Sequence, residues 1–269
     1  MIKLLALDMD GTLLNSQKQI SEANKEAIAL ALETGTKIVL CTGRPLSGVL
    51  PFAEELGFNH PGEYVIVNNG CSIHQAHDLA LIDYKSLSHA DIDILANYRD
   101  GDKVQLTLFD ESRYLVLDEQ ASAETKDDAA MVFAEPVYVD LEAIYTIDVP
   151  IFQAMFIGPK EAMDTLEHTH EKTLSGDFDM VRSSNVLYEA LPKGANKASA
   201  LAHLAERLDI APSEIMAIGD GNNDLEMLRF AHHSVAMGNA SSIVKEASKY
   251  ETKTNDQAGV AHAIKTWLL

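Results

Sequence analysis

Short, continuous apolar runs alternate with amphipathic segments at both ends of the chain, and each apolar run stops at a polar turn. Buried strands are often apolar runs of this length, so strands are predicted at 3–8, 37–41, 64–67, 215–219 and 234–237. The intervening segments have helix-capping residues, such as Ser21 before a helix over 22–34 and Gly35 after it. Another helix is predicted to begin at Pro45 and to end near Gly57. Strands joined by helices of this length imply a parallel sheet with helices on its faces.

The middle of the chain has a different pattern, which begins after about Asp83. Two apolar segments, 104–109 and 113–117, are separated by a short polar turn, which predicts an antiparallel pair. A helical pattern follows over 159–174. Hairpins together with helices indicate an α+β insert.

Alternation of strand and helix returns near Lys193. The predicted fold is therefore α/β, with a Rossmann-like, doubly wound parallel sheet as its core. Residues 1–82 and 192–269 are predicted to form this core. Residues 83–191 are predicted to form an inserted α+β domain.

Acidic residues exceed basic residues by 41 to 21 in the 269-residue chain, which gives a formal net charge of −20. Such a surface repels the phosphates of nucleic acid and anionic membranes, so neither partner is expected. No apolar run reaches the roughly 20 residues that span a bilayer. The same charge repels a phosphorylated metabolite at long range. A phosphate site would therefore have to be built locally, from a metal, a lysine and backbone N–H groups.

Neither the cysteines nor the first residues indicate an exported protein. Cys41 and Cys71 form no CxxC pair and no zinc-ligand pattern. The opening apolar run, 1–7, is too short for a signal peptide, and no small-residue cleavage site follows it. A reducing cytoplasm is the expected location.

Carboxylates follow the first and a later apolar strand. Asp8 and Asp10 are two residues apart where the first strand ends, so one could attack phosphorus and the other could transfer a proton. Asp220 follows the strand at 215–219, and Asp224 follows a glycine-rich turn. Carboxylates with waters and a substrate phosphate are the ligands that Mg²⁺ prefers. In a doubly wound sheet these strand ends share one crevice, so the acids are expected to meet.

Two other segments could bind an anion. Thr42 and Gly43 stand where a strand ends and a helix begins, a geometry that offers a hydroxyl and free N–H groups to phosphate. Lys197 begins a helix, where its charge opposes the helix dipole unless an anion lies nearby. Lys193 competes for the same role, and an exposed surface lysine is the commoner explanation for either.

The four segments, DMDGT, TGR, KGANK and GDGNND, occur in this order along the chain. Together they resemble the motifs of the haloacid dehalogenase superfamily, and within it the Cof-type phosphatases and their YidA-like sugar phosphatases. The resemblance covers the whole length. It implies an enzyme, a phosphoric monoester hydrolase, whose inserted domain is a C2-type cap that closes over the core and selects a small phosphorylated metabolite.

The resemblance also implies a role for each motif residue. Asp8 would be the nucleophile and a Mg²⁺ ligand, and Asp10 the general acid and base, with its backbone carbonyl on the metal. Thr12 would orient Asp10. Phosphate binding is implied for Met9, through its N–H, and for Thr42, Gly43, Lys197 and Asn223. Metal binding is implied for Asp220 and, directly or through water, for Asp224.

Several alternatives stay open. Phosphotransfer to a second sugar, as in a mutase of the same superfamily, would need the same residues. A metabolite-sensing protein on the same fold is a non-enzymatic alternative, against which the complete set of acids and lysine argues. Dehalogenation would leave Asp10 without a task, and the missing GxxxxGK[ST] pattern argues against a P-loop protein. The substrate and the oligomeric state are not predicted.

Overall fold

The computed structural model describes residues 1–100 and 103–269 of the chain. The described residues separate into two compact units. The first consists of Met1–Gly43, Leu50–Asp83 and Asn196–Leu269. The second consists of Arg44–Val49 and Tyr84–Ala195.

The strands and helices of the described residues are numbered separately in chain order. The strands are β1 (Leu4–Leu7), β2 (Lys37–Cys41), β3 (Glu63–Val67), β4 (Ser72–Gln75), β5 (Leu81–Tyr84), β6 (Gln105–Phe109), β7 (Tyr114–Val116), β8 (Pro136–Tyr138), β9 (Gln153–Ile157), β10 (Phe178–Val181), β11 (Leu187–Pro192), β12 (Ile215–Gly219), β13 (His233–Ala236) and β14 (Tyr250–Glu251). The α-helices are α1 (Glu22–Glu33), α2 (Leu50–Glu55), α3 (His89–Ala96), α4 (Ala123–Met131), α5 (Leu141–Ile144), α6 (Lys160–Asp177), α7 (Lys197–Arg207), α8 (Leu225–Phe230), α9 (Ser242–Ala247) and α10 (Gly259–Ala263). None of these helices combines the length and the apolar character that a bilayer span needs.

An eight-stranded sheet in the order β14-β13-β12-β1-β2-β3-β4-β5 organises the first unit. Strand β1 is central, and it pairs in parallel with β2 on one side and with β12 on the other. Its four residues are all buried, as expected of a strand with helices on both faces of its sheet. Strand order reverses at β1, so the carboxyl ends of β1 and β12 border a topological switch point. Ligands bind at such points in open α/β sheets.

A six-stranded sheet in the order β10-β11-β9-β6-β7-β8 organises the second unit. Its pairs are antiparallel except for β7 and β8, which are parallel. Leu106, Phe156 and Tyr188 are buried members of a hydrophobic cluster formed by this sheet and its helices. The parallel-rich core and this second sheet confirm the predicted α/β fold class.

The helix predicted from Pro45 to Gly57 is interrupted. The structure has a 3-10 turn at Leu46–Gly48 and then the short helix α2, whose second residue is Pro51. Proline lacks an N–H and would break the hydrogen-bond ladder of one continuous helix, but it fits the first turn of a helix that begins at residue 50. The prediction of a single helix over this segment is therefore wrong.

Candidate active site

The proposed site residues follow strand ends on one edge of the first unit's sheet. Asp8 follows β1, Thr42 follows β2 and Asp220 follows β12. These strands are parallel neighbours, so their carboxyl ends lie on the same edge. The topology therefore brings together three segments that are far apart in the sequence.

The centre of this edge is a buried ion-pair cluster. The Nζ atom of Lys197 lies 2.7 Å from Oδ1 of Asp8 and 2.7 Å from Oδ1 of Asp224. The three side chains are only 1%, 7% and 0% exposed, respectively. One ammonium group thus holds two carboxylates that come from opposite ends of the chain.

Helix α7 explains how the lysine reaches this cluster. Asn196 caps the helix by accepting a hydrogen bond from the N–H of Ser199 at 2.8 Å, so Lys197 is the first helical residue. A cation at a helix N-terminus is unfavourable, and the two carboxylates offset that cost. Lys193 lies in the second unit instead, where it donates to the carbonyl oxygens of Ser175 and Phe178. Of the two candidate lysines, Lys197 is the one beside Asp8.

Asp220 is held from two sides. The Thr12 hydroxyl donates to its Oδ1 at 3.0 Å, and the Asn239 amide donates to its Oδ2 at 3.2 Å. The same amide donates to the carbonyl oxygen of Gly11 at 2.8 Å. Gly11 has a positive φ of 82°, and a Cβ there would lie 2.4 Å from Oδ2 of Asp220, so this turn requires glycine. Sequence reasoning missed this role of Asn239, because an isolated asparagine does not indicate which side chain it will contact.

Asp224 stabilises the turn after β12 as well as the lysine. Its Oδ2 accepts hydrogen bonds from the N–H groups of Asp220 at 3.0 Å and Gly221 at 2.9 Å. Its Oδ1 binds Lys197. Both oxygens therefore have protein partners, which fits a role in supporting the site.

Asp10 lies nearer the solvent than Asp8. Its side chain is 37% exposed, and its Oδ1 lies 2.6 Å from Nζ of Lys18. The side chain of Met9 is buried in the core, and its carbonyl oxygen accepts the N–H of Leu14 at 2.9 Å. The turn after β1 is thus closed by its own backbone, and the Asp10 carboxylate within it is partly exposed to solvent.

An asparagine that no motif contains lies beside three of the predicted phosphate-binding residues, Thr42, Gly43 and Asn223. The N–H of Asn69 donates to the carbonyl oxygen of Thr42 at 2.9 Å. Its side-chain oxygen accepts from Nδ2 of Asn223 at 3.0 Å. A Cβ on Gly43 would lie 3.0 Å from Nδ2 of Asn69, so the asparagine amide covers that glycine. Asn69 therefore lies between the two predicted phosphate segments.

The cluster concentrates negative charge away from water. Burial, reinforced by the charge of Asp224, raises the pKa of Asp8 well above its ordinary value, although Lys197 opposes the shift. Burial and the charge of Asp224 also raise the pKa of Asp220. Burial alone would lower the pKa of Lys197, but the charges of Asp224 and Asp8 outweigh it and raise that pKa. The ammonium group is therefore charged throughout the physiological pH range.

The donor set fits a hard divalent cation. Asp8, Asp220 and Asp224 each offer a carboxylate oxygen, and these three atoms lie within 4.8 Å of one another. Carboxylate oxygens are the protein ligands that Mg²⁺ takes, together with waters and substrate phosphate. A divalent charge would also balance carboxylates that the single lysine leaves in excess.

Gly70 allows the turn after β3 to lie close to the N-terminus of helix α7, because it has no side chain. Its φ is +98°, and a Cβ would lie 2.2 Å from the carbonyl oxygen of Asn196 and 2.9 Å from the N atom of Lys197. We expect Gly70→Ala to lower the free energy of unfolding by about 3 kcal/mol, from backbone strain plus this clash. Gly35→Ala is the matched control, since Gly35 has a φ of +83° and open space around its Cβ. Thermal unfolding of both variants isolates the clash, and equal losses would contradict it.

Comparison with known proteins agrees with this geometry. Residues 5–264 match the haloacid dehalogenase-like hydrolase family. YxeH of Bacillus subtilis (strain 168) is 35% identical over 264 residues, which cover 98% of this chain and 97% of that protein. The 5-amino-6-(5-phospho-D-ribitylamino)uracil phosphatase YcsE of the same organism is 32% identical over 268 residues, covering 100% of this chain and 96% of that protein. A haloacid dehalogenase-like hydrolase from Bacteroides thetaiotaomicron has a TM-score of 0.89 at 32% identity, over 98% of this chain and 99% of that one.

A parallel α/β core with acids and a lysine at its switch point defines a class of hydrolytic enzyme. The chain belongs to the haloacid dehalogenase-like hydrolases, because the family match spans nearly its whole length. It is a phosphatase, as the relatives that cover the full chain indicate. The family and the enzyme class predicted from the four motifs are both confirmed.

Proposed function

We propose that this enzyme hydrolyses small-molecule phosphomonoesters with the help of Mg²⁺, through an aspartyl-phosphate formed on Asp8. One observation carries the proposal. The buried Asp8 carboxylate lies 2.7 Å from Lys197 and shares its strand-end edge with Asp220. A nucleophile beside a fixed positive charge and a set of metal ligands is what attack on an anionic phosphate requires.

In the first step, an oxygen of Asp8 attacks phosphorus and forms a new P–O bond. The bond from phosphorus to the ester oxygen breaks, and the departing oxygen takes a proton from the carboxyl group of Asp10. The alcohol leaves, and the phosphoryl group stays on Asp8. Lys197, with the amides of Gly43 and Met9, stabilises charge on the equatorial oxygens, while Thr42 and Asn223 donate to the same group.

In the second step, the Asp10 carboxylate removes a proton from water as that water attacks phosphorus. The bond from phosphorus to Asp8 breaks, which frees inorganic phosphate and restores the carboxylate of Asp8. Asp10 is protonated again and ready for the next ester. Burial of Asp8 limits solvent access to the phosphoenzyme outside this step.

Mg²⁺ would be held by Asp8, by the backbone carbonyl of Asp10 and by Asp220, and it would neutralise charge on the transferring phosphoryl group. Thr12 and Asn239 fix the direction of the Asp220 carboxylate. Asp224 supports the ligands through Lys197 and the turn after β12, or through a water on the metal. Ligand carboxylates oriented by such hydrogen bonds lose less freedom on binding.

The substrate class that we propose is phosphorylated sugars and sugar alcohols. YcsE, a relative of full length, is named for a phosphorylated ribityl compound. We also propose that residues 1–82 and 192–269, apart from 44–49 and 192–195 in the second unit, are the catalytic core. Residues 83–191 are proposed to be a cap that selects the substrate. A lysine and a metal inside the core would recognise the phosphate, so the cap is left to distinguish the organic part.

Phosphate release from a panel of esters tests the proposal directly. The panel contains hexose and pentose phosphates, 5-amino-6-(5-phospho-D-ribitylamino)uracil, flavin and pyridoxal phosphates and phosphorylated acids. We expect release in Mg²⁺ and none in EDTA, with sugar or sugar-alcohol phosphates turned over fastest. Addition of acceptor sugars tests phosphotransfer, because a mutase would make a new sugar phosphate in place of inorganic phosphate. No release from any ester would contradict the proposal.

Asp220→Asn should weaken the metal site. An amide keeps the shape and the hydrogen bond from Thr12 but loses the charge that binds a cation. We expect the Mg²⁺ concentration for half-maximal activity to rise at least about tenfold. Mg²⁺-dependent thermal stabilisation should weaken in parallel. Asp209→Asn is the control, because this residue lies in the loop that precedes β12, whereas Asp220 follows that strand. Unchanged Mg²⁺ dependence in Asp220→Asn would contradict its assignment as a ligand.

A further inference from the structure

The turn after β3 has an unusual backbone. Asn68, Asn69 and Gly70 have φ values of 51°, 54° and 98°, so three consecutive residues are left-handed. Both asparagines are buried, at 1% and 3% exposure. Non-glycine residues in this conformation cost of order 1 kcal/mol each and persist where surrounding contacts hold them, often at functional sites. The catalytic steps above assign no task to either asparagine.

The contacts of Asn69 reach two phosphate-binding segments that are distant in sequence. Its backbone N–H holds the carbonyl oxygen of Thr42 at 2.9 Å. Its Oδ1 accepts a hydrogen bond from Nδ2 of Asn223 at 3.0 Å. Its Nδ2 packs against Gly43, so closely that a Cβ on that glycine would lie only 3.0 Å from it. One buried residue therefore links the turn after β2, through its backbone N–H, with the turn after β12, through its side chain.

The hydrogen bond from Asn223 fixes the direction of that side chain. An amide nitrogen carries two hydrogens, and the bond to Asn69 uses one of them. The oxygen of the same amide is turned toward Gly221, where a Cβ would lie 2.5 Å away. Asn223 is thus oriented by its bond to Asn69, with one amide hydrogen left to donate to an anion.

We propose that Asn69 is a positioning residue for phosphate: it orients the amide of Asn223 and holds the Thr42–Gly43 turn at the spacing that a phosphoryl group requires. This inference rests on the proposed function, because it assigns the phosphate to those groups. Asparagine suits the position, since it tolerates a left-handed backbone better than most residues and supplies an acceptor for Asn223.

Asn69→Gly is the most informative variant. Glycine adopts the left-handed conformation without strain, so the turn keeps its backbone while Asn223 loses its partner. We expect the KM for a phosphate ester and the inhibition constant of inorganic phosphate to rise about tenfold, the effect of losing one well-oriented hydrogen bond to a charged group. The Mg²⁺ concentration for half-maximal stabilisation should not change. The free energy of unfolding should fall by no more than about 1–2 kcal/mol, because relief of backbone strain offsets part of the lost buried hydrogen bond.

Asp209→Gly is the matched control. Asp209 also has a positive φ, 55°, and lies in the first unit before β12, away from the switch-point edge. It receives the same relief of backbone strain but is exposed and loses no buried contact, so its thermal stability should stay the same or rise. Its KM and its phosphate inhibition should match those of the wild type. A KM increase in both variants would mean that altered turn flexibility is the cause, and would overturn the inference.

A double-mutant cycle with Asn223→Ala separates positioning from general structure. If Asn69 acts through Asn223, removing Asn69 should have little further effect once Asn223 is gone. The phosphate dissociation constants of Asn69→Gly/Asn223→Ala and of Asn223→Ala should then agree within about threefold. Fully additive losses would overturn that route. Asn69→Asp is the second variant should glycine impair folding. It keeps the acceptor for Asn223 but brings a carboxylate beside Gly43, so phosphate affinity should fall further than in Asn69→Gly.

Binding of inorganic phosphate by calorimetry distinguishes this inference from the proposed function. Equal phosphate affinity in the wild type and in Asn69→Gly overturns the role of Asn69, whether or not the wild type hydrolyses esters. Absence of ester hydrolysis by the wild type overturns the proposed function. Weaker phosphate binding by Asn69→Gly still supports the positioning role in that case.

Discussion

Asp8→Asn is expected to lose phosphatase activity by at least about 1,000-fold, because a carboxamide of the same shape cannot attack phosphorus. Removal of a nucleophile from a cooperating set usually removes nearly all of the chemical acceleration. The effect should appear in kcat, with substrate binding retained, since Lys197 remains charged. Phosphate release at saturating substrate and saturating Mg²⁺ measures it.

The folded state should tolerate the Asp8→Asn change. Burial, and then the charges of Asp224 and Asp220, raise the pKa of Asp8, so a neutral side chain relieves both costs. The contact with Lys197 weakens, but that ammonium keeps its bond to Asp224 at 2.7 Å. We therefore expect a change in unfolding free energy within about 1 kcal/mol. Loss of activity together with loss of the folded transition would indicate a structural role instead.

Trapping of the phosphoenzyme tests the same assignment independently. A wild-type sample quenched in acid during turnover should carry one phosphoryl group on the peptide that contains Asp8. The Asp8→Asn sample should carry none, and Asp209→Asn should behave as the wild type because its side chain is remote from the site. A phosphoryl group on another residue, or full activity in Asp8→Asn, would contradict Asp8 as nucleophile.

The centre of the site was predictable from the sequence because its acidic residues directly follow the apolar runs that form the strands. Asp8 and Asp220 each follow a continuously apolar run, and such runs form adjacent parallel strands in a doubly wound sheet. Acids at the ends of these strands must then lie on one edge, whatever their separation in sequence. The residues alone left Lys193 and Lys197 as competitors for the phosphate, because both lysines stand in one segment and only the packed structure shows which ammonium lies beside Asp8.

The residues that orient this centre were not predictable. Asn239 and Asn69 act through contacts with Asp220 and Asn223, which lie 19 and 154 residues away in sequence. A single asparagine in a turn is common, and its usual explanation is local turn geometry. Only the packed structure shows which asparagine amide faces a site residue.

Parts of the inserted segment were missed for a different reason. Helix α4 has the sequence AETKDDAAM, whose few apolar positions make no helical stripe, and its Ser122 cap is the main local signal. Strand β8 has only three residues and begins with Pro136, which fits an edge strand but not a strand prediction. These elements form through tertiary contacts, which override weak local preference.

Lys197→Met is expected to reduce both activity and stability, since this one ammonium has two roles. Methionine fills a similar volume but leaves Asp8 and Asp224 buried without their cation, at 7% and 0% side-chain exposure. Removal of one partner from a buried ion pair costs about 3–5 kcal/mol of unfolding free energy. Loss of a fixed charge that stabilises the transferring phosphoryl group should lower kcat by at least about 100-fold.

Lys193→Met is the matched control for this substitution. Lys193 lies four residues earlier, is 55% exposed and binds Asp179 and carbonyl oxygens in the second unit. We expect its activity to match the wild type and its stability to change by no more than about 0.5–1 kcal/mol. Similar losses in the two variants would mean that removing any lysine from this segment has the same effect, against a specific role for Lys197.

The two roles of Lys197 can be separated by the metal and by a second substitution. The loss of unfolding free energy in Lys197→Met should be largest in EDTA. Mg²⁺ should reduce this loss of stability, because a bound cation replaces the missing charge beside Asp8. Adding Asp224→Asn to Lys197→Met neutralises one of the two carboxylates that have lost their cation. The unfolding free energy should therefore partly recover in the double variant. Activity should not recover, since no positive side chain then faces the phosphate. Recovery of both would show that Lys197 acts on the fold alone.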